Sequence, residues 1–204
     1  KVLDRMGKGN TRLVVSALKW LIANYGKMNI RILNISVGML ASARREEQEE
    51  LLAAIEAVWD AGIVVVAAAG NNGPKDKSIT IPGLCRKIIT VGSSDDEEGE
   101  VKNLGLMRGY SGRGPTEACI MKPEVVAPGT AIVSCKRMGN GYEMKSGTSM
   151  ATPVVAGAVA VLLSRYSNLK PAEVKLRLYE TSVDTGKSKH AQGWGRLDVM
   201  QLIR

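Results

Sequence analysis

The chain of 204 residues is 45% hydrophobic, which is enough for one sizeable core, so we predict a single domain over residues 1–204. Its formal charge is +8, from 28 basic and 20 acidic residues. The basic residues are scattered and lack the interleaved aromatic side chains that stack on bases, so we predict a solvated surface and no nucleic-acid partner.

The first half of the chain alternates helical and strand patterns. Apolar residues at helical spacing predict helices over residues 11–25 and 43–61, and Val/Ile-rich runs predict buried strands over 30–37, 63–69 and 87–92. Buried strands that alternate with helices are typical of a parallel sheet covered on both faces. The sequence therefore predicts an α/β fold with a mostly parallel sheet between helices.

The second half of the chain has shorter elements. The turn Gly139–Gly141 predicts a hairpin that joins a strand over 131–135 to residues 142–146. A proline at its start predicts a helix over residues 171–180. We expect a polar surface loop from Asp184 to Gln192.

The cysteines, Cys85, Cys119 and Cys135, are odd in number and lack metal-ligand spacing, so we predict no disulfide framework, no metal site and no cofactor. No stretch is typical of a secretory signal or a transmembrane helix, so we predict no membrane partner. The compartment, extracellular or cytoplasmic, stays open.

One residue pattern carries chemistry. Gly147-Thr148-Ser149-Met150-Ala151-Thr152-Pro153 opens an apolar stretch that runs to Leu163. Helix capping by itself would explain the hydroxyls of Thr148 and Ser149, and a proline is tolerated in the first turn of a helix. They do not explain the small residues on both sides, which let other backbones approach the helix closely. A hydroxyl here is well placed as a nucleophile, because free N–H groups and the helix dipole stabilise an oxyanion.

This seven-residue string resembles the nucleophile motif of the subtilisin-like serine proteases, the subtilases. The resemblance implies a three-layer subtilisin-like fold, with Ser149 as the nucleophile of a serine endopeptidase that acts on polypeptide substrates. Residues 123–129 and 193–199 resemble further family segments, and Lys1–Leu3 resembles a central strand of the family's sheet. The resemblance thus covers essentially the whole chain.

The strand predicted over residues 63–69 runs into Gly70 and Asn71. Glycine and asparagine are common turn residues, and without Ser149 a turn would be the better interpretation. In subtilases the asparagine at the matching place donates its side-chain N–H to the oxyanion. The resemblance therefore implies that Asn71 acts with Ser149 in catalysis.

The resemblance also implies a cleft for an extended peptide. The residues that form its two walls are Ser36, Val37 and Gly38 on one side and Ala68, Ala69 and Gly70 on the other. Their small side chains leave an apolar slot for the residue before the scissile bond, and Thr80 is a further candidate for its floor. Asn34-Ile35-Ser36 also matches a glycosylation sequon, which we discount because a buried strand is a poor acceptor.

The chain departs from the family pattern in its acid and base. A catalytic serine needs a base and a carboxylate that orients the base, and subtilases carry them in the order Asp, His, Ser. Neither the aspartate motif nor the histidine motif of the family precedes Ser149 in this chain, and the one histidine, His190, follows it. Asp184 and His190 would give the order of the α/β-hydrolases, but the Gly-x-Ser-x-Gly signature of that class is absent. We therefore interpret His190 as an exposed residue outside catalysis.

The missing motifs leave two hypotheses for the whole protein. In the first, the chain is the C-terminal two-thirds of a subtilase domain, incomplete at the N-terminus, with the Asp and His upstream of Lys1. In the second, it is a catalytically dead homologue that acts as a peptide-binding module. Under the first hypothesis, without the missing N-terminal part of the domain as its partner, the 204-residue chain is expected to be inactive and to self-associate through uncovered strand edges.

The segment from Pro82 to Ile88 resembles a loop in which some subtilases coordinate a cation through backbone oxygens. The basic residues Arg86 and Lys87 argue against a cation at this loop. We predict no metal there.

Overall fold

Four parallel strands form the central sheet of the computed structural model, which describes residues 2–5, 9–38, 44–97, 107–137 and 139–204. The strands are β1 (Ile32–Ile35), β2 (Val64–Ala68), β3 (Ile89–Ser93) and β4 (Val125–Ala127), and they lie side by side in that order. Every residue of β2, β3 and β4 is buried. Their continuous apolar runs follow from this, since a parallel sheet is covered on both faces.

Three long helices flank the sheet. They are α1 (Thr11–Met28), α2 (Arg45–Asp60) and α3 (Thr148–Arg165). The first two pack on each other, and α3 contacts all four strands. By length and composition α3 could span a membrane, but here its residues Val155, Val159 and Leu162 are fully buried in the protein core. The layers confirm the predicted parallel sheet between helices.

The shorter elements follow β4 in the chain. They are the hairpin strands β5 (Ile132–Cys135) and β6 (Tyr142–Lys145) and the helices α4 (Pro171–Thr181), α5 (Lys189–Gln192) and α6 (Val199–Leu202). The antiparallel pairing of β5 with β6 confirms the predicted hairpin, and α4 confirms the helix predicted from Pro171. After α5, Arg196 forms bridges with Val126 and Val183, which ties the end of the chain to β4.

Local hydrogen bonds explain where the helices begin and end. The side chain of Asn10 accepts the N–H of Leu13 at 2.9 Å and so caps α1. Asn29 ends the helix in the left-handed conformation, with a φ of 51°, so α1 extends about one turn beyond its predicted end. At α4, the carboxylate of Glu173 accepts the N–H of Lys170 at 2.7 Å.

Two strand predictions are wrong in part. Val2 and Leu3 form no strand in the part of the chain that the structure describes, and Lys1 lies outside that part. The strand predicted over 30–37 is limited to β1, in which Ile35 alone is buried. An apolar run forms a strand only where another strand pairs with it, and among the described residues β1 pairs with β2 on one edge only.

The limited burial of β1 also concerns the glycosylation sequon at Asn34. Asn34 is exposed, and its Nδ2 donates to Oγ of Ser36 at 2.9 Å. The sequon at Asn34 was discounted because the strand was expected to be buried. That reason does not hold.

The segment from Asp184 to Gln192 is not a simple polar surface loop. Its last residues form α5, and Gln192 is 1% exposed. The Oε1 atom of Gln192 accepts the N–H and the hydroxyl of Thr185, both at 2.8 Å, and its Nε2 donates to Asp184 at 2.8 Å. These hydrogen bonds hold the segment around the buried side chain of Gln192. Nothing in the sequence distinguishes this glutamine from the polar residues around it, so its burial could not be predicted.

Candidate active site

Ser149 lies in the first turn of α3 and is half-buried. The N-cap residue before this turn, Gly147, has a φ of 145°, a conformation that favours glycine. The Ser149 hydroxyl donates to the backbone carbonyl of Ser36 at 2.9 Å. The fold therefore brings the predicted nucleophile to the end of β1, where the predicted peptide-binding wall begins.

Asn71 lies beside Ser149 because Thr148 binds its side chain. Oδ1 of Asn71 accepts both the backbone N–H of Thr148, at 2.9 Å, and its hydroxyl, at 3.0 Å. A backbone N–H can only donate, so the partner atom must be the amide oxygen, which fixes the orientation of the amide. The Nδ2 donor of Asn71 then faces Gly147, where a Cβ atom would lie 3.0 Å from it.

The hydroxyl of Thr148 has a second partner. It accepts the backbone N–H of Gly70 at 3.1 Å, and Thr148 is fully buried. The sequence analysis gave this threonine no role beyond capping. Its position between Gly70 and Asn71 depends on contacts 77 and 78 residues apart along the chain, for which the sequence has no local signal.

A cavity of about 200 Å³ adjoins Ser149 and Asn71. Its other lining residues are Gly38, Ala68, Gly70, Asn72, Thr80 and Thr148. Three of the six predicted wall residues thus line it, and so does Thr80. Of the other three, Ser36 supplies the carbonyl that binds Ser149, Ala69 is fully buried in the sheet layer, and Val37 lines a neighbouring cavity.

That neighbouring cavity has a volume of about 580 Å³ and was not predicted from the sequence. Its apolar wall residues are Leu3, Val14, Ile35, Val37, Leu51, Ile55, Ile81 and Pro82. It lies beside the end of β1, because Val37 and Gly38 contribute to it. Gly38 lines both cavities, so the segment after β1 separates a small pocket at Ser149 from a larger apolar one.

A further residue supports the backbone before Ser149. Oδ1 of Asp95 accepts the N–H groups of Gly129, at 2.8 Å, and Thr130, at 3.1 Å. The carbonyl of Gly129 in turn accepts the N–H of Gly147 at 2.9 Å. Asp95 therefore holds the turn on which the start of α3 rests, a role not apparent from the acidic run in which it occurs.

The two residues that would imitate a hydrolase triad have other partners. Nδ1 of His190 lies 3.0 Å from Oδ2 of Asp76, and the histidine side chain is 45% exposed. The Asp184 carboxylate accepts the N–H of Gly186, which with Lys189 and Gln192 lowers the pKa of Asp184 to about 2. Neither residue lines the cavity at Ser149, and no histidine or carboxylate of the described part of the chain does so.

The loop from Pro82 to Ile88 does not fit a metal ion. The backbone carbonyls of Arg86, Lys87 and Ile88 accept hydrogen bonds from Nζ of Lys175 at 2.9, 2.9 and 3.0 Å. From the sequence, a cation was not expected here because the side chains of Arg86 and Lys87 are basic. The charge that these oxygens bind belongs instead to Lys175, which lies on α4.

Known proteins resemble this chain over nearly its whole length. Residues 1–195 match the subtilase family. The chain is 37% identical to "Serine protease AprX" of Bacillus subtilis (strain 168) and 33% identical to "Subtilisin DY" of Bacillus licheniformis, over 96% and 98% of its own length. Among solved structures it resembles "Sphericase", with a TM-score of 0.79 and 26% identity over 97% of the chain.

The chain is shorter than these relatives. It covers 48% of "Serine protease AprX", 65% of "Subtilisin DY" and 67% of the "Sphericase" chain. Within the matched part, the fold and the family agree, and they confirm the resemblance first seen around Ser149. The chain therefore belongs to the subtilase family of subtilisin-like serine proteases.

Proposed function

We propose that the complete protein is a serine endopeptidase that hydrolyses peptide bonds through an acyl-enzyme on Ser149. The observation that carries this proposal is the shared cavity of Ser149 and Asn71, with the amide of Asn71 oriented by Thr148. A nucleophile and an oriented N–H donor beside one small pocket are two of the parts that acyl transfer requires, the third being a base.

The chemistry follows from the position of Ser149 at the start of α3. Its Oγ attacks the carbonyl carbon of the peptide, and its proton passes to a base. The negative charge on the carbonyl oxygen is stabilised by Nδ2 of Asn71 and by the backbone N–H of Ser149, which belongs to the first helical turn and has no partner within the helix. The C–N bond then breaks, the base gives its proton to the departing amine, and an acyl ester of Ser149 remains. Water hydrolyses this ester and restores the serine.

The substrate is an extended polypeptide bound along the segment after β1. The small cavity at Ser149 takes the side chain before the scissile bond, between Gly38 on one wall and Ala68 and Gly70 on the other. The carbonyl of Ser36, which accepts the Ser149 hydroxyl here, becomes free for a substrate N–H when the serine attacks.

The base and its carboxylate belong, in this proposal, to a part of the complete protein outside the 204 residues. The chain covers only 48% and 65% of two protease relatives, which leaves room for them. The free edge of β1, the end of the sheet nearest Ser149 among the described strands, is the place for that part to pair. Alone, the 204-residue chain is inactive and self-associates through this edge.

The test of catalysis is peptide hydrolysis by the complete protein and by its Ser149→Ala variant. Ser164→Ala is the matched control, because Ser164 lies on the same helix and is exposed. We expect Ser149→Ala to abolish hydrolysis and Ser164→Ala to leave it unchanged. A complete protein whose hydrolysis survives Ser149→Ala would overturn the proposal.

One observation favours a second function. In the described part of the chain the Ser149 hydroxyl has a backbone carbonyl as its partner and no base. The alternative is a catalytically dead homologue that binds peptides in the same cleft. It predicts that the complete protein binds extended peptides with equal affinity before and after Ser149→Ala and cleaves none of them.

A further inference from the structure

Two lysines and one glutamate form a buried ionic cluster between the sheet and α4. The side chains of Lys122, Glu124 and Lys175 are 0%, 4% and 19% exposed. Nζ of Lys122 donates to both carboxylate oxygens of Glu124, at 2.7 and 2.9 Å, and to the Thr90 hydroxyl at 3.0 Å. Burial lowers the pKa of Lys122, and Glu124 opposes that shift. The negative charge of Glu124 is therefore already balanced by the positive charge of Lys122, without Lys175.

Lys175 adds a second positive charge that is bound mainly by backbone oxygens. Its Nζ donates to the carbonyls of Arg86, Lys87 and Ile88 and to Oε1 of Glu124, all at 2.9 to 3.0 Å. We call these four acceptors the cation cage. Four acceptors around one nitrogen suit the ammonium form, which carries three hydrogens and no lone pair. The distances exceed the roughly 2.3–2.6 Å at which oxygens bind Ca²⁺.

We propose that Lys175 is a built-in replacement for a monovalent metal ion: its ammonium group fills the cation cage, so the fold needs no dissolved cation there. Backbone carbonyl oxygens that converge on one point bind a positive charge, as they do in potassium-channel filters. Lys122 lies next to that point and shares the carbonyl of Ile88, at 3.3 Å, so a single charge suits the site better than a double one.

The cage holds the loop that forms part of both cavities near Ser149. Thr80 lines the small cavity, and Ile81 and Pro82 line the larger one. The hydroxyl of Thr90, bound by Lys122, donates to the carbonyl of Gly83 at 2.7 Å. Lys175 and Lys122 thus fix this loop from its far end, without a dissolved ion that dialysis could remove. The proposal does not depend on the proposed protease activity.

The test is the thermal unfolding midpoint of the complete protein, in a Ser149→Ala background that prevents self-digestion. Lys175→Met keeps an unbranched side chain that is one atom shorter and removes the ammonium group from the cage. Lys19→Met is the matched control, because Lys19 pairs with Glu50 at 3.6 Å on the surface and is 70% exposed. Each variant is measured in EDTA with KCl, CaCl₂ or tetramethylammonium chloride at one ionic strength, with EDTA omitted from the calcium sample.

We expect Lys175→Met to lower the midpoint by about 6–20 °C in tetramethylammonium, because it leaves buried groups without their partner. Potassium should restore at least about half of that loss, as a ligand bound only by the folded state does. The parent and Lys19→Met should respond equally to each salt. Equal midpoints of Lys175→Met in potassium and tetramethylammonium, or a parent that gains as much from potassium as the variant does, would overturn the proposal.

A second variant covers the case in which Lys175→Met does not fold. Lys175→Gln retains an N–H donor but is one atom shorter, which leaves space for an ion in the cage. It is expected to show the same preference for potassium over tetramethylammonium, with a smaller loss. Stability of Lys175→Gln that is independent of the cation, together with a lower midpoint than the parent, would show that the lysine is only an ion-pair partner of Glu124.

Discussion

Thr148 donates twice to one atom of Asn71: its backbone N–H and its hydroxyl both bind Oδ1, at 2.9 and 3.0 Å. The amide oxygen is thereby occupied, and Nδ2, the donor of the amide, faces Gly147 at the start of α3. The side chain that we propose as the oxyanion donor is thus oriented by Thr148 and does not depend on a substrate for its orientation. Such preorganisation is what makes a hydrogen bond effective in the transition state.

The first prediction concerns this donor. Asn71→Leu keeps the approximate size of the side chain and removes its N–H groups. We expect kcat of the complete protein to fall about 10²–10³-fold with KM nearly unchanged, a magnitude measured in subtilisin itself and carried over within the family. Steady-state kinetics on a peptide substrate check it. A loss confined to KM would mean that Asn71 binds substrate and does not stabilise the oxyanion.

The second prediction concerns Thr148 as a positioning residue. Thr148→Val removes the hydroxyl that links Gly70 to Asn71, and we expect about a tenfold lower kcat, since a buried hydrogen bond of this kind contributes about 1–1.5 kcal/mol. Thr148→Ser keeps the hydroxyl and should stay within about twofold of the parent.

A double variant separates positioning from a general structural effect. If Thr148 acts through Asn71, then Thr148→Val should cost almost nothing further in an Asn71→Leu background. Additive losses in the double variant would show that Thr148 acts by another route. Thermal unfolding of the same four proteins reports whether stability follows activity.

The central part of this fold could be predicted from the sequence because its signals are local. The apolar run around β2 and the hairpin turn before β6 are read from neighbouring residues, and both are present. Ser149 and Asn71 were predicted in the same way, from short strings, and the fold brings them to one cavity. By contrast, a strand at Val2 and Leu3 requires a pairing partner, which an apolar pattern cannot supply.

The supporting residues could not be predicted, because each acts across a long sequence separation. Asp95 binds Gly129 34 residues further on, and Lys175 reaches Glu124 across 51 residues. Lysine and glutamate are surface residues by default, so the complete burial of Lys122 contradicts the ordinary expectation for its type. Burial of this kind depends on the acceptors that surround the side chain, which the sequence does not reveal.

The third prediction concerns the three cysteines, all of which are free. Cys119 and Cys135 are exposed, whereas Cys85 is buried, and burial raises the pKa of its thiol. The thiolate is the reactive form, so a raised pKa lowers the rate of modification at any given pH below it. We expect a disulfide reagent at pH 8 to label two thiols of the 204-residue region rapidly and the third only after denaturation.

Mass spectrometry of the labelled peptides identifies which thiol is protected. Cys85→Ser serves as the control, because it should remove the thiol that is labelled only after denaturation and leave the two that are labelled rapidly. Rapid labelling of Cys85 in the folded protein would contradict the burial described for the sheet layer around it.

The last prediction separates two reasons for a glycine in the wall of the cavity at Ser149. Gly62 and Gly70 have nearly the same φ, +97° and +95°, which L-residues rarely adopt. A Cβ atom at Gly62 would meet nothing within 4 Å, whereas at Gly70 it would lie 2.5 Å from Oγ1 of Thr80. Gly62→Ala should therefore cost only the backbone strain, about 1–2 kcal/mol of unfolding free energy, and Gly70→Ala about 1–3 kcal/mol more. Denaturant unfolding in the Ser149→Ala background measures both.

Because Thr80→Ala removes the two closest atoms, it should recover part of the extra loss in Gly70→Ala and none in Gly62→Ala. Equal losses for the two glycine variants would show that the close approach of Thr80 to Gly70 can relax at no cost, and that the pocket wall requires glycine for its backbone conformation alone.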